Sequence, residues 1–380
     1  MKKSYSVEGH CDPAFAAVRE AFAGNFEAGL EVGASCAVTV DGEYVVDLWG
    51  GYADAAHTVP WQRNTITNVY STTKVMTTLC ALMLVDRGQL DLDATVACYW
   101  PEFAAAGKDR ILVRWLFSHS AGLSGFNEPL PLEALYDWER VTLLLENQEP
   151  WWEPGTRSGY HMLTFGYLLG ELVRRISGKT LGSFFREEVA LPLAADFHIG
   201  LSEEHDTRVA ELIPPPPMEL PPLDPESIAG RTLVSAPIMP AYSDRAWRGA
   251  EIPASNGHGN ARSAARVGSV LACGGEVDGV RLLSRASIDR ALEEQSNDID
   301  LVLGLPIRWG LGFGLASEKL PGLSPRSFYW GGFGGSWLEM DPEARMSFSY
   351  VMNKLEVDPA GDKRMLKVRN AVFSAMRAKK

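Results

Sequence analysis

The stretch "TNVYSTTKVMTTLCALML", residues 67–84, places a serine hydroxyl at Ser71 and a lysine amine at Lys74, where an apolar run with helical spacing begins. The following "DRGQL" contains Gly88, a residue suited to the left-handed conformation that closes a helix. The pattern predicts a helix from Ser71 to about Gly88. Side chains three positions apart on a helix share a face, so the hydroxyl and the amine are expected within reach of each other.

This pair of residues suits nucleophilic catalysis. A serine hydroxyl becomes an effective nucleophile when a base takes its proton, and Lys74 is a candidate base. An ordinary lysine pKa of about 10.4 keeps the amine charged at neutral pH, so the site must desolvate the amine or place cations beside it. About one Ser-x-x-Lys pair is expected by chance in a chain of this length, and a helix cap with a solvated lysine is the structural alternative.

Composition and charge narrow the class of protein. The chain has 380 residues, of which 46% are hydrophobic and 22% charged, as is typical of a soluble globular protein with two core regions. The net charge of -12 disfavours a nucleic acid or an anionic membrane as partner and favours a small molecule. The N-terminal residues lack the apolar segment of a signal peptide, and no apolar run reaches the ~18 residues of a membrane span, so a cytoplasmic location is expected.

The residues that usually hold metals or cofactors form no pattern. The five cysteines and seven histidines are dispersed, without paired CxxC spacing and without HExxH, so neither a disulfide framework nor a metal site is predicted. There is no GK[ST] loop and no GxGxxG between a strand and a helix, and we expect no cofactor. No serine has the GxSxG pattern of an α/β-hydrolase.

The strand signals lie at the two ends of the chain. Asp41-Gly42 separates two β-rich runs, and "SFYWGGFGGSWLEMDPE" and "ARMSFSYVMN" precede a last helix from about Lys363. The middle is helical and contains a proline-rich tract, 213–225, for which we expect a rigid surface loop. The pattern predicts an α/β (α+β) fold with an antiparallel sheet flanked by helices. We expect a sheet domain of residues 1–85 and 255–380, an inserted, mainly helical domain at 86–254, and an active site in the cleft between them.

A second candidate site residue is Tyr160, in "WEPGTRSGYHMLTFGYLLGEL", where a Pro-Gly loop precedes a helix. A tyrosine in such a loop can project its hydroxyl into a cleft and carry a proton for the serine and lysine. The structural alternative is a packing tyrosine at a helix entry.

A third candidate segment is "YWGGFGGSW", residues 329–337. Gly331 and Gly332 allow the backbone close to a ligand and expose an amide such as that of Phe333. Negative charge that develops on a carbonyl oxygen needs such donors. Glycine pairs of this kind also mark simple β-bulges and turns.

Together, Ser-Thr-Thr-Lys, the later Tyr160 and Trp-Gly-Gly resemble, in order and spacing, the serine β-lactamase and penicillin-binding-protein superfamily. The chain looks closest to its family VIII carboxylesterases. The resemblance implies that Ser71 is the acyl-accepting nucleophile, Lys74 its base and Tyr160 a second proton carrier. It also implies an oxyanion hole formed by the backbone N–H groups of Ser71 and Phe333.

The substrate-binding candidates are Trp330, Gly331, Gly332, His161 and Trp152. For His161 the structural alternative is a surface residue at a helix entry, and Trp152 is a candidate for the rim of the acyl pocket. His119, in "FSHSAGL", is expected to be a turn residue and is excluded from the site.

Two positions depart from the superfamily pattern. Met162 stands where an asparagine is usual, and Trp330 stands where a lysine or histidine is usual, a change that family VIII esterases tolerate. Both changes remove polar groups that recognise a carboxylate-bearing lactam, so an apolar ester is the favoured substrate. The predicted partner is therefore a small-molecule ester.

Three other functions remain open at this point. An acyltransferase of the same fold would use an alcohol in place of water, and a β-lactamase or amide hydrolase would use the same serine. A catalytically inactive binding scaffold is the third alternative, because a fold does not prove activity. Acyl-chain length and oligomeric state are left undetermined.

Overall fold

The computed structural model describes residues 6–215, 223–235, 244–358 and 361–379. The loop expected at 213–225 lies largely outside them. No helix within the described ranges has the length and apolar character needed to cross a lipid bilayer.

One antiparallel sheet dominates the described residues. Its strands are β1 Val7–Cys11, β2 Gly33–Val40, β3 Glu43–Gly51, β8 Ser296–Ile299, β9 Pro306–Trp309, β10 Gly314–Leu315, β11 Phe328–Gly331, β12 Trp337–Asp341 and β13 Met346–Met352, and short pairs are formed by β4 Thr67–Asn68 with β5 His258–Gly259 and by β6 Glu276–Val277 with β7 Val280–Arg281. The order in the sheet is β1-β3-β2-β13-β12-β11-β10-β9-β8. Because β2 pairs with β13, with Val38 opposite Phe348, the two ends of the chain meet inside one sheet, and the predicted fold class is confirmed.

The helices of the described residues are α1 Ala16–Glu27, α2 Thr73–Asp86, α3 Val113–Phe117, α4 Trp138–Asn147, α5 Thr164–Ser177, α6 Leu181–Phe185, α7 Leu191–Leu193, α8 Ile228–Ser235, α9 Arg245–Gly249, α10 Ala261–Ala272, α11 Arg285–Ala291 and α12 Lys363–Ala378. The helix predicted from Ser71 begins as a 3-10 turn over Tyr70–Thr72 and becomes α-helical at Thr73. The last helix begins at Lys363, as predicted. The domain boundaries at 85 and 254 stay a prediction.

The first hairpin has the turn that its sequence predicts. Asp41 and Gly42, between β2 and β3, have φ values of 53 and 88. Positive φ at both central residues gives a turn whose twist matches that of the flanking strands. This turn sets the register in which β2 enters the centre of the sheet.

Helices cover both faces of the sheet. On one face, α1 and α12 pack with Phe22 and Val372 in a shared buried cluster. On the other face, α2, α5 and α10 pack around residues such as Leu79. Adjacent residues of β2 serve the two layers, Val38 in the first and Ala37 in the second, because side chains alternate across a strand. The 3-10 turn and α2 thereby bring Ser71 to the second face.

Candidate active site

Ser71 lies in the 3-10 turn that leads into α2 and is half-buried. The preceding Tyr70 has a φ of 45, a left-handed backbone that a large residue adopts only under constraint. Thr73 supplies part of that constraint, since its Oγ1 donates to the Tyr70 carbonyl at 2.5 Å and accepts from the Gly257 N–H at 2.9 Å. The hydroxyl-bearing residue is thus held at the first turn of a buried helix.

Lys74 follows one turn later, and its side chain is buried, at 1% exposure. Its Nζ lies 3.1 Å from Ser71 Oγ and donates to the carbonyls of Met162 at 2.7 Å and Ala254 at 2.9 Å. Burial without a compensating negative charge lowers the pKa of Lys74 well below its ordinary value. The amine is therefore desolvated, as a lysine must be if it is to act as a base near neutral pH.

The three neighbours of the Lys74 nitrogen can all accept hydrogen bonds, so they fit the three N–H groups of an ammonium as well as a neutral amine. A neutral amine has two N–H groups and one lone pair, and a carbonyl oxygen accepts hydrogen bonds but cannot donate them. In the neutral form, which burial favours, the carbonyls of Met162 and Ala254 take the two N–H groups. The lone pair is left for the third neighbour, the Ser71 hydroxyl, so the amine can accept the proton of that hydroxyl.

Tyr160 lies beside this pair. Its ring centroid is 4.7 Å from Lys74 Nζ, and its phenol oxygen accepts a hydrogen bond of 3.3 Å from the Trp330 indole Nε1. Burial raises the pKa of Tyr160, and hydrogen bonds with the Ser71 and Trp330 side chains partly oppose that effect. The phenol therefore keeps its proton at neutral pH and can donate it.

The glycine segment after β11 packs closely against the turn that carries Ser71. A Cβ atom on Gly332 would lie 2.1 Å from the Val69 carbonyl oxygen, so only glycine permits this approach. Ser336 fixes the contact, because its Oγ donates to the same Val69 oxygen at 2.7 Å and lies 2.9 Å from Thr72 Oγ1. These contacts attach the glycine segment to Val69 and Thr72, which lie before and after Ser71 in the sequence.

The backbone N–H of Phe333 is available to a ligand. It has no hydrogen-bond partner within the described residues. The side chain is 36% exposed, and its ring packs edge-on against Tyr70 with 5.5 Å between centroids. A free N–H on a segment clamped beside Ser71 has the properties of a donor to an oxyanion.

Trp330 forms part of the wall of the site. Its ring centroid lies 5.2 Å from that of Tyr160 and 4.6 Å from that of Trp309. The structure thus brings together the predicted residues Ser71, Lys74, Tyr160, Trp330, Gly331, Gly332 and Phe333.

His161 and Trp152 have different surroundings. His161 is fully buried, so the structural alternative of a surface residue is wrong. Its Nδ1 donates to the Gly159 carbonyl at 2.7 Å, and its Nε2 accepts from the Leu123 N–H at 3.2 Å. Burial lowers the pKa of His161 to about 4, and neither ring nitrogen is free for a substrate. Both ring nitrogens of His161 are therefore occupied, and its predicted contact with the substrate stays a prediction.

Trp152 packs against this histidine. Its ring lies 5.9 Å from the His161 ring at 85°, and its Nε1 donates to the Arg157 carbonyl at 3.0 Å. The indole is partly exposed. A role of Trp152 at the rim of the acyl pocket stays a prediction.

Two residues near the site were missed by the sequence reasoning. His119 is 1% exposed, and its ring lies 5.0 Å from the Tyr160 ring and 4.4 Å from the Trp309 ring. Burial lowers the pKa of His119 well below its ordinary value, so it is a neutral part of the wall. Ser336 is the other, and its only signal is that it follows a glycine pair. Neither motif spacing nor periodicity points to either residue.

Metal-binding groups and cavities away from Ser71 are the other places where a ligand could bind. The described residues contain no group of three His, Cys, Asp or Glu side chains that could hold a metal ion. Cavities of about 290 and 500 Å³ lie near Arg308 and near Thr156, and neither is lined by Ser71, Lys74 or Tyr160.

Comparisons with known proteins agree with the resemblance expected from the motifs. Residues 22–372 match the protein family described as Beta-lactamase. The chain is 36% identical over 377 residues to the esterase/beta-lactamase LipL of Mycobacterium tuberculosis, covering 92% of this chain and 83% of LipL. The crystal structure of a family VIII carboxylesterase matches with a TM-score of 0.91 and 41% identity, over 97% of this chain and 100% of the other. A penicillin-binding protein homologue from Caulobacter crescentus matches with a TM-score of 0.90 and 39% identity, over 97% and 100% of the two chains.

Proposed function

Because this chain belongs to the beta-lactamase family, we propose that it is a serine carboxylesterase that cleaves small to medium carboxylic esters through an acyl-enzyme on Ser71. One observation carries the proposal. The buried amine of Lys74 lies 3.1 Å from Ser71 Oγ, with its other hydrogen bonds directed to two carbonyl oxygens. Burial favours the neutral form of this amine, and in that form it is placed to accept the proton of Ser71.

The first step is acylation. Ser71 Oγ attacks the ester carbonyl carbon, and its proton passes to the neutral amine of Lys74. The carbonyl oxygen becomes negatively charged in the tetrahedral intermediate. The backbone N–H groups of Ser71 and Phe333 are the proposed donors to that oxygen, and the contact between Gly332 and Val69 supports their proximity.

The second part of acylation is departure of the alcohol. The bond between the carbonyl carbon and the leaving oxygen breaks, and that oxygen needs a proton unless it is a stable anion. Tyr160 is the proposed donor, since burial raises the pKa of its phenol and its oxygen lies beside Ser71. The tyrosine then regains a proton from the Lys74 ammonium. Water repeats the sequence in reverse and releases the acid.

The preference for esters over lactams rests on two side chains. Trp330, 8% exposed, presents an indole where the superfamily usually has a cation. Met162 contributes its backbone carbonyl to Lys74 and has a thioether where an amide is usual. With no amide at 162 and no cation at 330 to bind a substrate carboxylate, an uncharged ester is the favoured substrate class.

The proposal is tested with p-nitrophenyl acetate and butyrate, and in parallel with a fluorophosphonate probe whose adduct is located by peptide mass spectrometry. We expect ester turnover and an adduct on Ser71, both lost in Ser71→Ala. Ser374→Ala is the matched control, because Ser374 is an exposed serine on α12, and it should retain both. No turnover and no adduct in the wild type would instead favour a binding scaffold.

A further inference from the structure

Asp300 is a buried carboxylate that accepts a hydrogen bond from the backbone N–H of Tyr160. It lies at the tip of the hairpin formed by β8 and β9 and is 0% exposed. Its Oδ1 accepts hydrogen bonds from the backbone N–H groups of Tyr160 at 2.9 Å, Val302 at 3.0 Å and Leu303 at 3.0 Å. Two of these bonds close the hairpin tip, and the third reaches a residue far away in the sequence.

Among the described residues, this carboxylate has no cationic partner that would explain its burial. None of the ion pairs among the described residues includes Asp300, and its second oxygen, Oδ2, has no hydrogen-bond partner there. Burial of an unpaired carboxylate costs free energy unless N–H donors compensate for the lost water. The three N–H donors on Oδ1 supply that compensation, so the bond to Tyr160 is one of the contacts that hold this side chain in the interior.

The backbone around Tyr160 is held from two sides. On the side of Asp300, the Leu301 N–H also donates to the Ser158 carbonyl at 2.9 Å. On the other side, the N–H groups of Gly159 and His161 donate to the carbonyl and the Nδ1 of His119, at 2.9 and 3.0 Å. Three consecutive N–H groups therefore alternate between two anchors, which fix the position of the Tyr160 backbone beside Lys74.

A shift of this segment would affect two groups of the proposed site. The phenol of Tyr160 would move relative to the leaving oxygen. Two residues on, the carbonyl of Met162 would move relative to Lys74 Nζ, to which it is bonded at 2.7 Å. General acid catalysis needs the proton donor within hydrogen-bond distance of its acceptor, so small displacements weaken it.

We propose that Asp300 is a positioning residue that holds Tyr160 in place for delivery of its proton to the leaving alcohol. This inference rests on the proposed esterase function. The proton leaves the tyrosine oxygen as the bond between the carbonyl carbon and the leaving oxygen breaks, and the tyrosine is reprotonated from Lys74. Asp300 takes no part in the proton transfer and does not touch the substrate.

Two substrates with the same acyl group separate a positioning role from a general structural one. The leaving group of ethyl butyrate is an alkoxide that must be protonated, whereas the leaving group of p-nitrophenyl butyrate is a stable anion. The value of kcat/KM reports acylation for both. Since general acid catalysis contributes about 10²–10⁴-fold, Asp300→Ala should lower kcat/KM for ethyl butyrate by about 100-fold and for p-nitrophenyl butyrate by less than about 5-fold.

Two further variants complete the test. Asp300→Asn keeps an oxygen acceptor but loses the charge that strengthens its hydrogen bonds. It should lower the ratio of ethyl to p-nitrophenyl kcat/KM by about fivefold, which is a smaller effect than that of alanine. Asp298→Ala is the matched control, because Asp298 is an exposed carboxylate in β8, the strand that leads to Asp300, and its side chain bonds only the Ile299 N–H among the described residues. It should leave the ratio unchanged.

The possible failures are distinguishable. Equal losses on both esters in Asp300→Ala, or no loss on either, would overturn the positioning role while the esterase function stands. If Asp300→Ala does not fold, as judged by circular dichroism, an unchanged ratio in Asp300→Asn overturns it in the same way. A wild-type protein that cleaves neither ester would contradict the proposed function itself.

Discussion

The indole Nε1 of Trp330 donates a hydrogen bond of 3.3 Å to the phenol oxygen of Tyr160. Both rings are buried, at 8% and 5% exposure. Trp330 stands where the superfamily usually has a lysine or histidine, and it keeps one property of those residues, an N–H donor aimed at the tyrosine. It brings no positive charge to the site.

Trp330→Phe should lower kcat/KM for ethyl butyrate by about fivefold, since a neutral hydrogen bond contributes about 1 kcal/mol. Phenylalanine keeps an aromatic ring in the wall but has no donor for the Tyr160 oxygen. Steady-state kinetics of the purified variant measures the effect.

Trp309→Phe is the control for this variant. The Trp309 ring packs in the same wall, yet its Nε1 has no hydrogen-bond partner within the described residues. The substitution removes no hydrogen bond, so its effect on kcat/KM should be smaller than that of Trp330→Phe. Equal effects would mean that packing, and not the donor, accounts for the loss.

The pH dependence of activity should reflect the buried amine of Lys74. A base acts only in its neutral form, and burial lowers the pKa of Lys74 well below its ordinary value. Activity should therefore be lost as the pH falls through that lowered pKa, and the base should stay neutral at every higher pH. The measurement is kcat/KM for p-nitrophenyl butyrate from about pH 5 to about pH 10. A rate that rises tenfold per pH unit up to about 10.4 would show an ordinary, solvated lysine.

Gly332→Ala should lower kcat by about 100-fold, the usual effect of losing one oxyanion donor. The new Cβ would lie 2.1 Å from the Val69 carbonyl oxygen, which forces the glycine segment away from the turn that carries Ser71. Kinetics with p-nitrophenyl butyrate measures the loss, and the thermal unfolding midpoint shows whether the fold is retained.

Gly331→Ala is the comparison for that substitution. Its Cβ would lie 2.7 Å from a ring atom of the Trp337 side chain, with the nearest backbone atom at 3.2 Å. A side chain can shift where a backbone carbonyl cannot, so the loss of kcat should be clearly smaller. Comparable losses in the two variants would argue against a specific role for the contact between Gly332 and Val69.

Arg364 should be essential for stability. It is 1% exposed, pairs with Glu31 at 3.1 Å and Asp362 at 2.5 Å, and donates to the Gly334 carbonyl at 3.0 Å. Arg364→Ala would leave two carboxylates without their cation, and removal of one partner from a buried pair costs about 3–5 kcal/mol. Urea unfolding should show a loss of this size in the free energy of unfolding.

Arg377→Ala serves as the control in the same helix, because Arg377 is exposed and a surface substitution changes stability by about 0.5 kcal/mol or less. Because Gly334 directly follows Phe333, Arg364→Ala should also lower kcat in the fraction that remains folded. If Arg364→Ala were as stable as Arg377→Ala, this result would contradict the stabilising role proposed for the buried ion pair.

Local patterns are sufficient for much of the fold. The turn at Asp41-Gly42, the last helix and the strands near both chain ends follow from period, turn chemistry and caps, which act between residues close in sequence. The pairing of β2 with β13 depends on hydrophobic burial over the whole sheet. Strand signals at both ends of the chain are the only local indication of it.

The residues that support the site are harder to find. His119, Ser336 and Asp300 act through one or two hydrogen bonds to segments far away in the sequence. Such bonds leave no periodic pattern in either segment. The burial of His161 was not predicted for the same reason, since its two ring nitrogens are bonded to backbone groups of Leu123 and Gly159.

The amino-acid sequence alone specifies which chemical groups this protein possesses: the helix-borne pair Ser71 and Lys74, the later Tyr160 and the glycines after Trp330. Their states are set by folding. Whether Lys74 is charged depends on burial and on the carbonyls of Met162 and Ala254, and the environment of Tyr160 depends on Trp330 and Asp300. Solvation and hydrogen bonding are properties of the folded surroundings, because groups brought together from distant segments set them and no short stretch of sequence contains those groups.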